Sequence, residues 1–94
     1  MKLLDKILDR IKKSKKLTNV YVPPMGNAAY SYNYYIDNDL VLCQYHAVTR
    51  VTVNDVELAI LDAEDTKVLL AALDLHISQE KQRAIDKFMT GGSL

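Results

Sequence analysis

The fold of this chain is decided by residues 28–61, which read AAYSYNYYIDNDLVLCQYHAVTRVTVNDVELAIL. The dipeptide Asn-Asp occurs twice in this stretch, as Asn38-Asp39 and as Asn54-Asp55, each time between runs rich in Tyr, Val, Ile and Leu. Asn and Asp tolerate positive φ angles, so each dipeptide predicts a two-residue β-hairpin turn. The stretch is therefore expected to form an antiparallel meander.

A two-residue turn at Asn38-Asp39 fixes which side chains share a face of the sheet, because directly opposed residues lie on the same side. A three-residue loop would place Gln44 and His46 beside the tyrosines, so the two-residue turn is preferred. One predicted face then holds Ile36 with Val41, Tyr34 with Cys43 and Tyr32 with Tyr45, and the opposite face holds Tyr35 with Leu42, Asn33 with Gln44 and Ser31 with His46.

The second turn, Asn54-Asp55, extends the same pattern. No Gly, Pro or Asn separates Tyr45 from Val51, and residues 40–53 are therefore expected to form one long central strand with a bend near residues 46–48. A short break at that bend, which gives four strands instead of three, is the alternative. The predicted pairs across the second turn are Val53 with Val56, Val51 with Leu58 and Thr49 with Ile60.

The predicted fold class is α+β, with one domain over residues 1–94. Apolar residues recur at helical spacing in residues 2–16, which predicts an amphipathic N-terminal helix. Residues 19–22 form a short extended piece that flanks the sheet. Asp62 is a good N-cap for a first C-terminal helix, and Ser78 is a plausible N-cap for a second. Both helices are expected to pack on the odd-numbered face of the three- or four-stranded meander.

The composition narrows the class of protein further. One cysteine excludes an internal disulfide, and no apolar run approaches the roughly 20 residues that span a bilayer, so we expect a cytoplasmic protein with no membrane partner. The net charge of zero hides a polarity, because residues 1–17 carry a net charge of +5 and residues 37–74 a net charge of −6. Such a chain lacks the overall basic balance that is typical of nucleic-acid-binding proteins.

No arrangement of residues predicts catalysis, a metal or a cofactor. Cys43 and His46 have the spacing of metal ligands, but in a strand they would point to opposite faces. Ser31 and His46 would be neighbours across two strands, but no nearby acid could orient the imidazole. We therefore expect no catalytic residue, no metal site, no small-molecule cofactor and no enzymatic activity.

The leading functional hypothesis is a non-enzymatic protein-binding module, such as a small inhibitor, adaptor or regulatory subunit. It would bind a protein partner, or a second copy of itself, through the sheet face without helices, where the predicted site residues are Asn33, Tyr35, Leu42, Gln44, His46 and Arg50. The alternative is a nucleic-acid-binding protein that uses the basic end of the N-terminal helix, with Arg10, Lys12, Lys13, Lys15 and Lys16. The same cations also suit the negative end of the helix dipole.

Overall fold

A computed structural model describes residues 2–27 and 30–90 of the chain. The elements follow in the order α1 (Leu3–Lys13), β1 (Leu17–Val22), β2 (Ser31–Ile36), β3 (Leu40–Tyr45), β4 (Val48–Val53), β5 (Val56–Leu61) and α2 (Ala63–Thr90). The five strands form one antiparallel sheet in which each strand pairs with the next along the chain. The α+β class is confirmed, together with the antiparallel meander between an N-terminal and a C-terminal helix.

The predicted number of strands is too low. The flanking piece at residues 19–22 belongs to β1, an edge strand that pairs with β2 along its whole length. Pro23 and Pro24 follow directly after this strand, where a missing backbone donor ends the hydrogen-bond ladder. The predicted central strand over residues 40–53 is also divided in two, as the alternative reading allowed.

The division falls at His46-Ala47, which form a two-residue turn between Tyr45 and Val48. His46 has a φ angle of 53°, in the left-handed region where His is enriched among the non-glycine residues that adopt it. The side-chain amide of Gln44 donates a hydrogen bond of 2.6 Å to the His46 carbonyl and so ties the turn to β3. The turn therefore forms without Gly, Pro or Asn.

The predicted register between β2 and β3 is wrong by one residue. Ile36 pairs with Leu40 and Tyr34 pairs with Leu42, so the loop contains three residues, 37–39. Asp37 adopts a φ angle of 56° and its amide donates to the carbonyl of Lys16 at 2.8 Å. Since side chains alternate along a strand, the one-residue shift exchanges the two faces of β3.

The turn at Asn54-Asp55 is confirmed. Both residues have positive φ angles, 51° and 66°, and Val53 pairs with Val56 as predicted. The two further pairs predicted across this turn are wrong because a β-bulge shifts the register between Val51 and Thr52. Val51 lies opposite Ala59, and Leu58 is left 54% exposed at the bulge.

The sequence predicts where the helices begin better than where they end. The carboxylate of Asp62 accepts a hydrogen bond of 2.9 Å from the amide of Asp65, which confirms Asp62 as the N-cap of α2. The predicted second C-terminal helix is wrong, because α2 is one helix that continues through Ser78 to Thr90. The apolar residues before Ser78 alternate with polar ones as in a strand, but they lie on different sides of one helix. Leu73 is buried in the core and Leu75 points to solvent.

Both helices pack on the same face of the sheet. The amphipathic α1 buries Ile7 and Ile11, and α2 buries Leu69 and Leu73. Each such side chain contributes about 1.5–3 kcal/mol through its removal from water. Burial raises the pKa of the Tyr34 hydroxyl in this core, and the carboxylate of Asp74 raises it further. The sheet contributes Tyr34, Ile36, Leu40, Leu42, Val51 and Leu61 to this cluster.

Two buried threonines join the sheet to the start of α2. The hydroxyls of Thr49 and Thr66 lie 3.0 Å apart. The Thr66 hydroxyl also donates to the carbonyl of Leu61 at 3.4 Å, so the Thr49 hydroxyl is the donor to Thr66. These bonds satisfy both polar groups inside the core, where an unpaired hydroxyl would cost about 1–3 kcal/mol.

Candidate functional site

The face of the sheet opposite the helices carries no helix among the described residues, and we call it the open face. The register and the alternation of side chains assign its members, because they pair with one another across the strands and alternate with the core residues. They are Thr18, Val20, Val22, Ser31, Asn33, Tyr35, Val41, Cys43, Tyr45, Val48, Arg50, Thr52, Glu57 and Ile60.

The open face is nearly free of charge. Among the described residues of this face, the two charged side chains are Arg50 and Glu57, and the Nε atom of Arg50 lies 3.0 Å from the Glu57 carboxylate. Both side chains are about half exposed, so this pair stabilises the fold by no more than about 1 kcal/mol. Its main consequence is neutrality, because the pair cancels the charge of the face and leaves uncharged apolar, aromatic and small polar side chains around it.

Tyr35 is the most prominent side chain of the open face near the β2–β3 loop. It is 41% exposed and pairs with Thr18 on one side and Val41 on the other. A hollow of about 350 Å³ lies beside this row and is rimmed by the polar loop residues Asp37 and Asn38. The row therefore presents an aromatic ring next to an aliphatic side chain, with hydrogen-bonding groups at the rim.

Asn33 positions the hydroxyl of Tyr35. The side-chain amide nitrogen of Asn33 lies 3.4 Å from the Tyr35 hydroxyl oxygen, to which it donates. The Oδ1 atom of Asn33 is buried and accepts no hydrogen bond from any described residue. Asn33 is therefore packed among its strand neighbours Val20 and Cys43, and it holds the tyrosine hydroxyl along the sheet.

The structure brings only part of the predicted protein-binding set together. Asn33, Tyr35 and Arg50 lie on the open face, as predicted. Leu42 and Gln44 are buried on the opposite face, because the three-residue loop inverts β3. His46 lies in the exposed turn after β3 and belongs to no strand.

The residues that β3 contributes to the open face were not predicted from the sequence; they are Val41, Cys43 and Tyr45. A signal for them exists in the run Asp37-Asn38-Asp39, because all three residue types favour turns and each can extend the loop. The aromatic ring of Tyr45 lies 5.6 Å from the ring of His46, so the turn continues the open face at this end.

The predicted nucleic-acid-binding set does not form one free cationic surface. Arg10 donates to both carboxylate oxygens of Asp39, at 2.6 and 3.3 Å, and Lys13 pairs with Asp9 at 3.0 Å. The hydrogen bond from Arg10 is the main cause that holds the pKa of Asp39 below its ordinary value. Of the five predicted residues, Lys12, Lys15 and Lys16 have side chains that make no ion pair within the described part of the chain.

Within residues 2–27 and 30–90, no three His, Cys, Asp or Glu side chains lie together in an arrangement that could hold a metal ion. Cys43 is a free thiol on the open face, and His46 lies beyond the end of its strand. Neither described helix combines the length and the apolar character needed to cross a membrane.

In comparisons with known proteins, no family model matches this chain, and no curated protein or solved structure matches it.

Proposed function

We propose that this protein is a non-enzymatic protein-binding module, of the kind that serves as a small inhibitor, adaptor or regulatory subunit, and that it binds through the open face. One observation carries the proposal: an uncovered sheet face has apolar and aromatic side chains and a single, self-neutralised pair of charges. The centre of a protein interface is depleted of charged residues and enriched in Tyr. The face of an antiparallel sheet that is exposed to water usually carries polar side chains instead.

The open face extends well beyond the 350 Å³ hollow beside Tyr35, which favours a protein as the partner. Five strands of six residues each make a surface of about 20 Å by about 20 Å. A face of that size, roughly 400 Å² per partner, is smaller than the roughly 800 Å² per partner of a standard interface and suits a weak or transient protein complex. The partner surface is expected to be largely apolar, with charged side chains only where they meet Lys16 or Asp37 at the rim of the hollow.

The row of Thr18, Tyr35 and Val41 is the expected centre of binding. Tyrosine is one of the residue types that dominate binding energy, since a rigid ring buries a large area at small entropic cost. The hollow beside the row has room for an aliphatic or aromatic side chain of the partner. We expect Tyr35→Ala to weaken binding by about 1–3 kcal/mol, which is about 5- to 150-fold in Kd.

The test uses Tyr21→Ala as a matched control. Tyr21 is an exposed tyrosine of the same sheet, 50% accessible, but it pairs with Tyr32 and lies on the helix side. Proteins captured from cell extract by the wild-type chain are identified, purified and titrated by calorimetry against wild type, Tyr35→Ala and Tyr21→Ala. Sedimentation of the same three proteins shows whether the partner is a second copy of the chain.

The proposal is supported if the purified partner loses affinity for Tyr35→Ala and keeps it for Tyr21→Ala. Equal affinity for wild type and Tyr35→Ala, or equal losses in both variants, would place the binding elsewhere. Thermal melts separate binding from folding, because Tyr35→Ala is expected to change stability less than Tyr34→Ala, which removes a buried ring.

A further inference from the structure

A second surface lies where the end of α1, the start of β1 and the middle of α2 meet. A hollow of about 440 Å³ opens there, with Lys15 and Lys16 on one side and Lys81 on the other. Lys81 comes from α2, so the fold brings it to two lysines that are more than sixty residues away in the sequence. The sequence pattern of the N-terminal helix gives no sign of this third cation.

The three lysines have an acidic neighbour, since Asp37 accepts hydrogen bonds from the backbone amides of Lys15 and Lys16, but their side chains are not paired with it. None of their ammonium groups makes an ion pair within residues 2–27 and 30–90. Glu80 also lines the hollow, but its carboxylate is paired with the guanidinium of Arg83. Three like charges around one concavity raise the local positive potential, and an anion that enters it relieves their mutual repulsion.

The wall of the hollow is held in place by a hydrogen-bond chain. The Ser14 hydroxyl donates to the carbonyl of Ile11 at 2.8 Å. The Nε2 atom of His76 lies 3.2 Å from the same hydroxyl oxygen, so the imidazole is the donor to Ser14. This chain holds α2 against the end of α1 and therefore holds the backbone segments that carry the two groups of lysines.

The floor of the hollow is apolar, with Leu17, Ile77 and Ala84 contributing to its lining. A second hollow of about 350 Å³ shares His76 with the first and adds Lys12 and Arg83. A concave site of this volume is in the range that small ligands occupy, roughly 300–1,000 Å³. A long polyanion would need an extended basic track instead, and pairing with acids interrupts such a track at Arg10 and Lys13.

We propose that this hollow binds a small phosphorylated molecule with an apolar moiety, such as a nucleotide. The phosphate groups lie among Lys15, Lys16 and Lys81, where three ammonium groups donate hydrogen bonds to phosphate oxygens. The apolar part packs on Leu17 and Ile77. This hollow and the hollow beside Tyr35 share Lys16, but the variants that test them, Lys81→Gln and Tyr35→Ala, change residues that line only one hollow each, so the fate of one proposal does not decide the other.

The test is calorimetric titration of the full chain with adenosine triphosphate, at about 50 mM and about 300 mM salt, with inorganic tripolyphosphate as the charge-matched probe. We expect the nucleotide to bind more tightly than tripolyphosphate and binding to weaken with salt. Lys81→Gln should weaken nucleotide binding by about fivefold or more. Lys67→Gln removes an exposed cation of the same helix outside the hollow and should leave binding unchanged.

Three results would overturn the proposal. The first is no detectable nucleotide binding at low salt by a wild-type chain that melts normally. The second is an equal loss of affinity in Lys67→Gln and Lys81→Gln, which indicates attraction by net charge alone. The third is tripolyphosphate, or a single-stranded oligonucleotide, binding at least as tightly as the nucleotide. Melting curves of both variants should match wild type, since both lysines are exposed.

Discussion

Two hairpin loops of this protein contain the same dipeptide and adopt different structures. Asn54-Asp55 forms a two-residue turn with both φ angles positive, whereas Asn38-Asp39 belongs to a three-residue loop in which Asp37 has the positive φ angle. The loops lie side by side, since the amide of Asn54 donates to the carbonyl of Asp39 at 2.9 Å. The dipeptide alone therefore does not distinguish them, although it follows Asp37 in the first loop and Val53 in the second.

Contacts with the rest of the chain account for the difference. The carboxylate of Asp37 accepts hydrogen bonds from the amides of Lys15 and Lys16, at 3.1 and 3.3 Å. The carboxylate of Asp39 binds the guanidinium of Arg10. The first loop is thus clamped to α1 and to the segment before β1. Among the described residues, the side chains of Asn54 and Asp55 make no comparable contact, so turn preference alone decides the second loop.

The largest expected effect tests the register that the first loop imposes. Leu42→Ala should cost about 2–5 kcal/mol, because Leu42 is fully buried on the helix side. Val41→Ala should cost about 1 kcal/mol or less, because Val41 is half-buried on the open face. Urea unfolding of both variants measures the two costs. A two-residue turn would reverse the order, so a costlier Val41 would contradict the three-residue loop.

The next effect tests the bulge that follows the second turn. Val51→Ala should cost about 1.5–3 kcal/mol, since the side chain is fully buried. Leu58→Ala removes a larger side chain yet should cost only about 1 kcal/mol, because Leu58 is mostly exposed at the bulge. Denaturant unfolding checks the order. A larger cost for Leu58→Ala than for Val51→Ala would contradict the bulge and support the regular pairing of Leu58 with Val51.

A smaller effect concerns the clamp on the first loop and its dependence on pH. The ion pair with Arg10 lowers the pKa of Asp39, so its contribution is present above the ordinary aspartate value and is lost as pH falls through the folded pKa. Asp39→Asn should therefore be less stable than wild type at pH 7. The difference should shrink as the pH falls below about 4.

Urea unfolding at several pH values measures this difference, with Asp55→Asn as the control. Asp55 also lies in a hairpin loop but makes no ion pair within the described residues. A stability loss in Asp39→Asn that is as large at low pH as at pH 7 would show that the clamp is not electrostatic.

The smallest expected effect comes from making the same substitution, Asp to Gly, in each of the two loops. Asp55→Gly should raise stability by about 0.5 kcal/mol, because Asn-Gly is the preferred pair for a turn with two positive φ angles. Asp39→Gly should lower stability, because it removes the partner of Arg10. Thermal melts of the two variants should shift in opposite directions. Shifts in the same direction would mean that one rule governs both loops.

The sequence by itself determined the parts of this protein in which local signals agree with one another. The helical spacing in α1, the N-cap at Asp62 and the turn at Asn54-Asp55 are each explained by neighbours within a few residues. The same is true of the two adjacent tyrosines of β2, since Tyr34 is buried and Tyr35 exposed, as their alternation predicts. The α+β class and part of the candidate site follow from these features.

The tertiary structure alone decided the faces of β3, and with them the rest of the candidate site. Apolar residues occupy both parities of this strand, Leu40 and Leu42 on one and Val41 and Tyr45 on the other, so alternation could not choose between them. The choice was made by the contacts of Asp37 and Asp39 with α1 and the segment after it. Because side chains alternate with a period of two, one added loop residue moved Leu42 and Gln44 into the core and Val41 to the open face.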